Sequence, residues 1–194
     1  MYQTMSGVLR DGRFHELLLG FDAEVAATVR AAGCLTCGAV LHSATFPRKP
    51  RGLPADLRVE HCRRLSFCCA AEGCRQRVTP PSLRFLGRKV YLGAMVVLVS
   101  AMRCGPTPSR MRPLRSVFGV SRRTVARWRV WWSQSFAQSA FWKAAAGAFM
   151  PPVAKADLPA SLLSRFAGDA EHQLTSLLRF LAPITGGARM MSVM

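Results

Sequence analysis

Two groups of cysteines, far apart in the chain, constrain the fold more than any other feature of the sequence. The first group is a C-x2-C-G motif over residues 34–38. Its spacing lets two thiolates reach one metal ion, and its glycine permits the tight turn behind the second sulfur. The second group contains Cys68, Cys69 and Cys74, which offer a C-x5-C or a C-x4-C pair. Apolar runs are short in this region, so the sequence predicts a small module held by a metal.

Cys69 and Cys74 are the preferred second pair. In an extended strand Phe67 and Cys69 point to the same side, which lets the ring pack beneath the metal. Four thiolates are typical of a tetrahedral zinc site. The expected zinc ligands are Cys34, Cys37, Cys69 and Cys74.

Other ligand assignments stay open. The 31 residues between Cys37 and Cys69 exceed the roughly 15–20 that are usual between such pairs. A basic loop with three prolines, residues 46–58, fills the excess. The competing ligands are Cys68, His42, His61 and Cys62. Cys104 is expected to be a thiol of the core.

The positive charge is concentrated in one segment. Of the net charge of +17, residues 61–130 carry +14, from 15 Lys/Arg and one acid. Self-repulsion on this scale is relieved by a polyanion, and phosphate backbones are the obvious candidate. All but four of the basic residues are arginine, which suits bidentate contacts to phosphate and guanine. The alternative is a solvated basic face without a partner.

The sequence predicts no secretory signal and no membrane partner. The N-terminal residues lack the necessary apolar run. The longest apolar stretch, Val90–Val99, falls well short of the roughly 20 residues that span a bilayer. A reducing, cytoplasmic and nucleoid-associated location is therefore expected. In that setting the seven cysteines indicate metal binding or free thiols more than disulfides.

Periodicity and capping residues predict a mainly α fold, with a helix-turn-helix helical domain, a small β zinc-ribbon module and C-terminal helices. The expected segments are 1–32 (N-terminal helical), 33–79 (zinc ribbon), 80–150 (helix-turn-helix domain) and 151–194 (C-terminal helical). Helices are predicted over 21–32, 89–103, 112–118 and 122–146, with one or two over 157–182, and short strands over 39–42 and 64–67. Asp22 is the expected N-cap of the first helix.

Residues 114–129, LRSVFGVSRRTVARWR, have the pattern of a helix-turn-helix. Gly119 supplies a permissive backbone where the turn needs it. Val120 is expected to fill the space between the two helices. Ser121 is a favourable N-cap for the second helix.

The second helix of this pattern has an apolar face and an arginine face. At about 100° per residue, Val125, Trp128 and Trp132 share one face, which is expected to pack on the preceding helices. Arg123 and Arg127 lie on the opposite face, one turn apart. A buried stripe backed by an arginine stripe is what a recognition helix in a major groove requires. The alternative is an ordinary amphipathic helix with an arginine-coated surface.

The expected DNA contacts follow from these angular positions. The residues expected to face bases are Arg123, Thr124 and Arg127. The residues expected to face phosphates are Arg110, Arg112, Arg115, Arg122 and Arg129. Trp131 lies beside the arginine face, with a place in the core as the alternative.

The order of these parts resembles the N-terminal DNA-binding half of zinc-ribbon insertion-sequence transposases. A C-x-x-C-G knuckle is followed by a second cysteine pair, by RVTP at residues 77–80, by an aromatic-basic-apolar helix and by GVSRRT at residues 119–124. The resemblance covers about residues 33–135. It implies that the ribbon and the helix-turn-helix bind DNA, which in that family is the terminal repeats of the element. The C-x4-C pair and the long loop before it depart from the usual pattern.

No catalytic activity is expected. Transposases of this kind cut DNA with three carboxylates on a ribonuclease-H-like domain, which bind two metal ions. After the helix-turn-helix this chain has only Asp157, Asp169 and Glu171, in a stretch too short for such a domain. The zinc deaminase motif is also absent, so the zinc site is expected to be structural. The resemblance thus implies DNA binding without strand transfer, in an accessory protein or a remnant of a transposase.

The expected partner is double-stranded DNA, with a second copy of the chain or a transposase as further possibilities. Two other functions stay open. One is a transcriptional regulator unrelated to transposition. The other is an RNA-binding ribbon in which Phe46, Phe67 and basic residues contact single strands or folded RNA. The C-terminal helices are expected to pack back on the helix-turn-helix, and a dimerisation element is the alternative.

Overall fold

Helix α1 (Gly12–Ala32) contributes to both hydrophobic clusters of the protein. The computed structural model describes residues 7–48, 50–51, 57, 59–86, 91–102 and 107–186. The Asp11 carboxylate caps α1 by accepting the Arg13 amide N–H at 2.9 Å. The first half of the helix buries Phe14 and Leu18 in a helical core. Its second half buries Ala26 against the segment that contains the two cysteine pairs, residues 33–79, which is called the cysteine module here.

The fold is mainly α-helical with a small antiparallel sheet. The further α-helices are α2 (Gly93–Ser100), α3 (Pro108–Phe118), α4 (Arg122–Val130), α5 (Ala140–Ala145), α6 (Ala160–Leu163) and α7 (Ala170–Leu181). The strands are β1 (Leu41–Ser43), β2 (Phe46–Pro47), β3 (Arg63–Arg64), β4 (Phe67–Cys69) and β5 (Arg77–Val78). Four 3₁₀ turns cover Val59–Cys62, Ala146–Ala148, Lys155–Asp157 and Ala182–Thr185 among the described residues, and Trp131–Phe136 is π-helical.

The strands pair antiparallel in the order β1-β4-β5, with β2 and β3 as a separate pair. Leu41 lies opposite Cys69, and Phe67 lies opposite Val78. All four of these side chains are buried. Because side chains alternate along a strand, Cys68 belongs to the other face of the sheet.

The buried hydrophobic residues of the described part of the chain form two clusters. The helical core surrounds α2, in which every residue is buried, as its nearly continuous apolar sequence predicts. Helix α7 also belongs to this core and buries Leu174, Leu177, Leu178 and Leu181. The C-terminal helix α7 therefore packs on α2, in the same hydrophobic cluster as residues of α3 and α4. The smaller cluster lies under the cysteines and is called the ribbon cluster here; its buried residues are Ala26, Cys34, Leu41, Phe67, Cys69 and Val78.

Asp22 does not cap a helix, contrary to the sequence prediction, because α1 begins ten residues earlier than residue 22. Its carboxylate is 1% exposed. It accepts hydrogen bonds from the Ser82 hydroxyl at 2.6 Å, the Leu83 amide at 2.6 Å and Arg84 Nε at 2.8 Å. Asp22 and Arg84 thus form a buried ion pair, which fixes residues 82–84 in the segment before α2.

The Arg84 guanidinium extends this polar junction to the cysteine module. Its remaining N–H groups donate to the carbonyl oxygens of Glu60, His61 and Arg63, at 3.2, 3.0 and 2.9 Å. Its charge also lies over the Phe85 ring, 5.0 Å from the centroid. One buried arginine therefore ties the chain before β3 to α1.

A second buried arginine, Arg64, connects the module to the C-terminal turn. Its guanidinium donates to the Pro80 carbonyl and, at 3.3 Å, to the Thr185 carbonyl. Burial lowers the pKa of Arg64 to about 10, so the group stays charged at neutral pH. Thr185 in turn accepts the Ser82 amide N–H at 2.7 Å. Backbone carbonyl oxygens thus accept hydrogen bonds from both buried guanidinium groups in place of water.

Several predicted boundaries are wrong. The long helix expected over 122–146 is broken, because α4 gives way to the π-helical turn and Ser139 caps a new helix by accepting the Trp142 amide at 3.1 Å. Helix α3 begins at Pro108, four residues before the expected start. The strand expected over 39–42 begins two residues later, at Leu41, and the strand expected over 64–67 is divided between the end of β3 and the start of β4. The helix predicted over 89–103 is shorter, because Tyr91 and Leu92 form isolated β-bridges and α2 covers only Gly93–Ser100; residues 89, 90 and 103 lie outside the described residues.

Candidate metal centre and arginine face

Four cysteine sulfurs converge at the end of α1. The Sγ atoms of Cys34, Cys37, Cys69 and Cys74 all lie within 4.8 Å of one another. Cys34 Sγ is 3.7 Å from Cys74 Sγ, and Cys37 Sγ is 3.4 Å from Cys69 Sγ. These separations exceed a disulfide bond, and all four residues are free cysteines. They match tetrahedral zinc, whose Zn–S bonds of about 2.3 Å place sulfurs roughly 3.8 Å apart.

The first pair lies in a tight turn built on two glycines. Gly33 ends α1 with φ +76°, and Gly38 has φ +73°. The Cys34 amide donates to the Ala39 carbonyl at 2.9 Å, and the Gly38 amide donates to the Cys34 carbonyl at 2.7 Å. The backbone N–H groups of Thr36 and Cys37 point at the Cys34 sulfur and lower its pKa to about 6. The turn thus favours the thiolate form that binds a metal.

The second pair lies at the end of β4 and in the turn that follows it. The Cys69 amide donates to the Gln76 carbonyl at 2.9 Å, which closes the turn. Burial raises the pKa of the Cys69 thiol to about 12, although the Ala71 amide donates to its sulfur. The Gln76 amide donates to the Cys74 sulfur in the same way. Both halves of the site therefore supply backbone N–H groups to the thiolates.

The structure brings together the four cysteines that the sequence predicted and leaves Cys68 outside. The Cys68 sulfur contacts the carbonyl oxygens of Cys69 and Arg75, at 3.7 and 3.6 Å. The other competing ligands also lie outside the cluster. His42 is exposed, and His61 is buried with Nε2 3.6 Å from the Glu16 carboxylate.

Helices α3 and α4 are joined by the turn Gly119–Ser121. Gly119 is left-handed, with φ +63°. Its amide donates to the Arg115 carbonyl at 3.1 Å, and the Val120 amide donates to the Leu114 carbonyl at 3.0 Å. The bond from the Gly119 amide is that of an αL cap, which favours glycine at its left-handed position. Val120 is fully buried, as predicted.

Ser121 caps α4 as predicted, because its hydroxyl accepts the Thr124 amide N–H at 3.2 Å. The buried face of α4 and the turn that follows contains Val125, Trp128 and Trp132, each at most 5% exposed. The opposite side carries the exposed residues Arg123 and Arg127, which are called the arginine face below, and Arg122 is exposed beside them. The helix therefore has the two-sided character that its sequence predicts.

Two of the residues expected to contact DNA have other roles. Thr124 is 6% exposed, and its hydroxyl lies 3.0 Å from that of Ser121. It therefore belongs to the cap of α4 and does not face outwards. Arg129 is half-buried and donates to the Met102 carbonyl at the end of α2, which withdraws its guanidinium from solvent.

The remaining predicted contact residues are exposed where they are described. Arg112 and Arg115 lie on the exposed side of α3. The side chain of Arg110 lies outside the described part of the chain. Trp131 is half-buried against the helical core, with its ring 4.8 Å from that of Trp132, so the alternative assignment to the core holds for this residue.

Sequence reasoning missed Tyr91. Its hydroxyl donates to the Gly119 carbonyl at 2.8 Å, and its ring meets Trp128 edge-on at 5.0 Å. No short-range pattern indicates this contact, because 28 residues separate Tyr91 from Gly119. The Asp22–Arg84 pair was missed for the same reason.

Comparisons with known proteins add no relative. No protein-family model matches the chain, and no curated protein or solved structure matches it significantly. Within the described residues, the helices are too short or too polar to cross a membrane.

Proposed function

We propose that this chain binds duplex DNA through the arginine face of α4, in a helix-turn-helix supported by a structural zinc ion. The observation that carries the proposal is the two-sided α4 that follows a tight, glycine-capped turn. Its apolar side is committed to the core, so only the arginine side is free to meet a ligand. Bidentate guanidinium contacts suit guanine in a major groove.

The surrounding charge supports a nucleic-acid partner. Residues 61–130 carry a net charge of +14, and the exposed Arg112 and Arg115 extend the positive surface onto α3. Contacts of this kind to phosphates release counterions, which gives affinity without sequence preference. The arginine face is then the part that selects a sequence.

The proposed metal is zinc, held by Cys34, Cys37, Cys69 and Cys74. The sulfur separations fit a tetrahedral ion, and four thiolates leave no open position for catalysis. When bound, the ion neutralises the thiolates and holds strands that are too short to stay folded alone.

Adjacent cysteines provide a matched test of the zinc assignment. Cys69→Ser is expected to lose zinc and Cys68→Ser to retain one ion per chain, as measured by elemental analysis of the purified proteins. Equal zinc content in both variants would contradict the assignment.

The RNA-binding alternative receives less support. Phe67, one of its two proposed stacking residues, is 7% exposed and lies in the ribbon cluster. Phe46 is half-buried, with the Arg77 guanidinium 5.9 Å from its ring centroid. Neither ring is presented to an unstacked base.

The biological setting is proposed from the motif order alone. The chain fits an accessory protein or remnant of a transposase, or a regulator built from the same modules. Of the three carboxylates that follow the predicted helix-turn-helix, Asp169 has a structural role, because it caps α7 by accepting the His172 amide N–H at 2.8 Å.

The test is competition between a duplex, a single strand and a structured RNA for the zinc-loaded protein across a salt series. The proposal predicts a preference for duplex DNA that persists at high salt and that enriches a defined sequence from a random pool. Equal binding to all three, falling alike with salt, would refute it.

A further inference from the structure

Tyr91 contacts both the turn before α4 and the buried face of α4. Its side chain is 6% exposed. The hydroxyl donates to the Gly119 carbonyl at 2.8 Å, and the ring lies edge-on to Trp128 with a centroid separation of 5.0 Å. Gly119 opens the turn, and Trp128 stands on the side of α4 opposite the arginine face. Tyr91 thus contacts both Gly119, before the start of α4, and Trp128, near its end, and two such points define the direction of a helix.

The backbone next to Tyr91 leads to the cysteine module. Tyr91 forms a parallel bridge with Arg51, which lies in the long loop between the two cysteine pairs. Leu92 forms an antiparallel bridge with Phe85, which follows Arg84. Arg84 donates hydrogen bonds to three carbonyls of the module. The segment 91–92 is therefore connected to the module twice, through Arg51 and through Phe85 next to Arg84.

We propose that Tyr91 is a positioning residue that fixes the direction of α4 relative to the metal-held module. This inference rests on the proposed DNA binding and adds to it a specificity-determining residue remote from the arginine face. Arg129 holds the other end of α4 through the Met102 carbonyl. A helix held at both ends presents Arg123 and Arg127 in one orientation, which base recognition needs and phosphate contact does not.

The hydroxyl and the ring of Tyr91 make separable contributions. Ring packing against Trp128 is tolerant of small rotations, whereas the hydrogen bond to Gly119 is directional. Tyr91→Phe keeps the ring and removes the hydroxyl. Its matched control is Tyr2→Phe, at the other tyrosine of the chain, which lies outside the described residues.

The test compares zinc-loaded wild type, Tyr91→Phe and Tyr2→Phe in two measurements. The first is the ratio of dissociation constants for a selected duplex and a scrambled duplex of equal length. Tyr91→Phe is expected to lower this ratio about three- to tenfold, with affinity for the scrambled duplex unchanged. The second is amide hydrogen exchange of the free protein. Exchange is expected to accelerate in α4 and to stay unchanged in α7.

Wild-type selectivity and wild-type exchange of α4 in Tyr91→Phe would overturn the inference. Loss of protection throughout the protein would also overturn it, because it would show a general structural role. If the wild type itself prefers no duplex, the proposed function fails. The exchange of α4 then still decides whether Tyr91 positions the helix.

Discussion

At the scale of single residues, Gly33 is the most constrained position of the metal-binding turn. Its φ of +76° is strained for other residues, and an added Cβ would lie 2.9 Å from the Gly38 carbonyl oxygen. Gly33→Ala is therefore expected to destabilise the zinc-loaded protein by about 1–3 kcal/mol. Gly20→Ala is the control, because it adds a methyl group in open space on α1 and is expected to stabilise by about 0.5–1 kcal/mol. Urea unfolding that shows equal stability for both variants would contradict the described turn.

Substitutions of Arg127 and Arg112 distinguish contacts to bases from contacts to phosphates. Arg127→Ala is expected to reduce discrimination between selected and scrambled duplexes by about 1–3 kcal/mol. Arg112→Ala removes the same charge from α3. It is expected to weaken binding to both duplexes alike and to reduce the salt slope by about 1. Titrations over a salt series distinguish the two effects, and a uniform loss in Arg127→Ala would exclude its base-reading role.

Residue-scale prediction from sequence succeeds where the chemistry is local. The ligand set follows from cysteine spacing and strand alternation, and the Ser121 cap follows from residue type. Thr124 and Arg129 were misassigned because angular position on a helix does not reveal hydrogen bonds. Thr124 is held by the cap, and Arg129 by the Met102 carbonyl, two residues after α2.

At the scale of elements, the buried pair of Asp22 and Arg84 joins α1 to the segment before α2. Asp22→Asn leaves the Arg84 charge buried without its counter-charge, so a loss of about 3–5 kcal/mol is expected. The same substitution at Asp11, an exposed N-cap, should change stability by less than about 0.5 kcal/mol, because asparagine caps as well as aspartate. Unfolding in urea measures both, and similar stabilities would show that the junction contributes little.

The sequence predicted which helices exist better than it predicted where they begin and end. Their apolar faces are visible in the sequence, and those of α2 and α7 are buried as expected. The prediction began the first helix at residue 21 and so missed the first half of α1, where Asp11 caps the helix and Phe14 and Leu18 are buried. The break after α4 depends on a cluster of Trp132, Phe136 and Trp142, which pack on one another across the break.

At the scale of the whole molecule, two clusters of unequal size imply unequal dependence on the metal. The ribbon cluster has six buried residues within the described part of the chain, too few to keep strands of two or three residues folded. Zinc removal by a chelator is expected to abolish hydrogen-exchange protection in β1 and β4 while the amides of α2 and α7 stay protected. Simultaneous loss of protection in all four elements would show a single cooperative unit.

Long-range arrangement is what the sequence left undetermined. The residues that join the elements meet partners far away in the chain; they are Asp22, Arg84, Arg64 and Tyr91. Each also satisfies a buried polar group, a need that appears only once the surrounding elements are packed. Sequence patterns therefore indicated the modules and not the contacts between them.

The central claim is that the arginine face of α4 enters the major groove of duplex DNA. Dimethyl sulfate footprinting of the zinc-loaded protein on a selected duplex tests it most directly, because the reagent modifies guanine N7 in the major groove and adenine N3 in the minor groove. Guanine N7 within the site is expected to be protected by the wild type and to lose that protection in Arg127→Ala. A bound duplex whose guanine N7 atoms stay reactive, or one protected only at adenine N3, would contradict it.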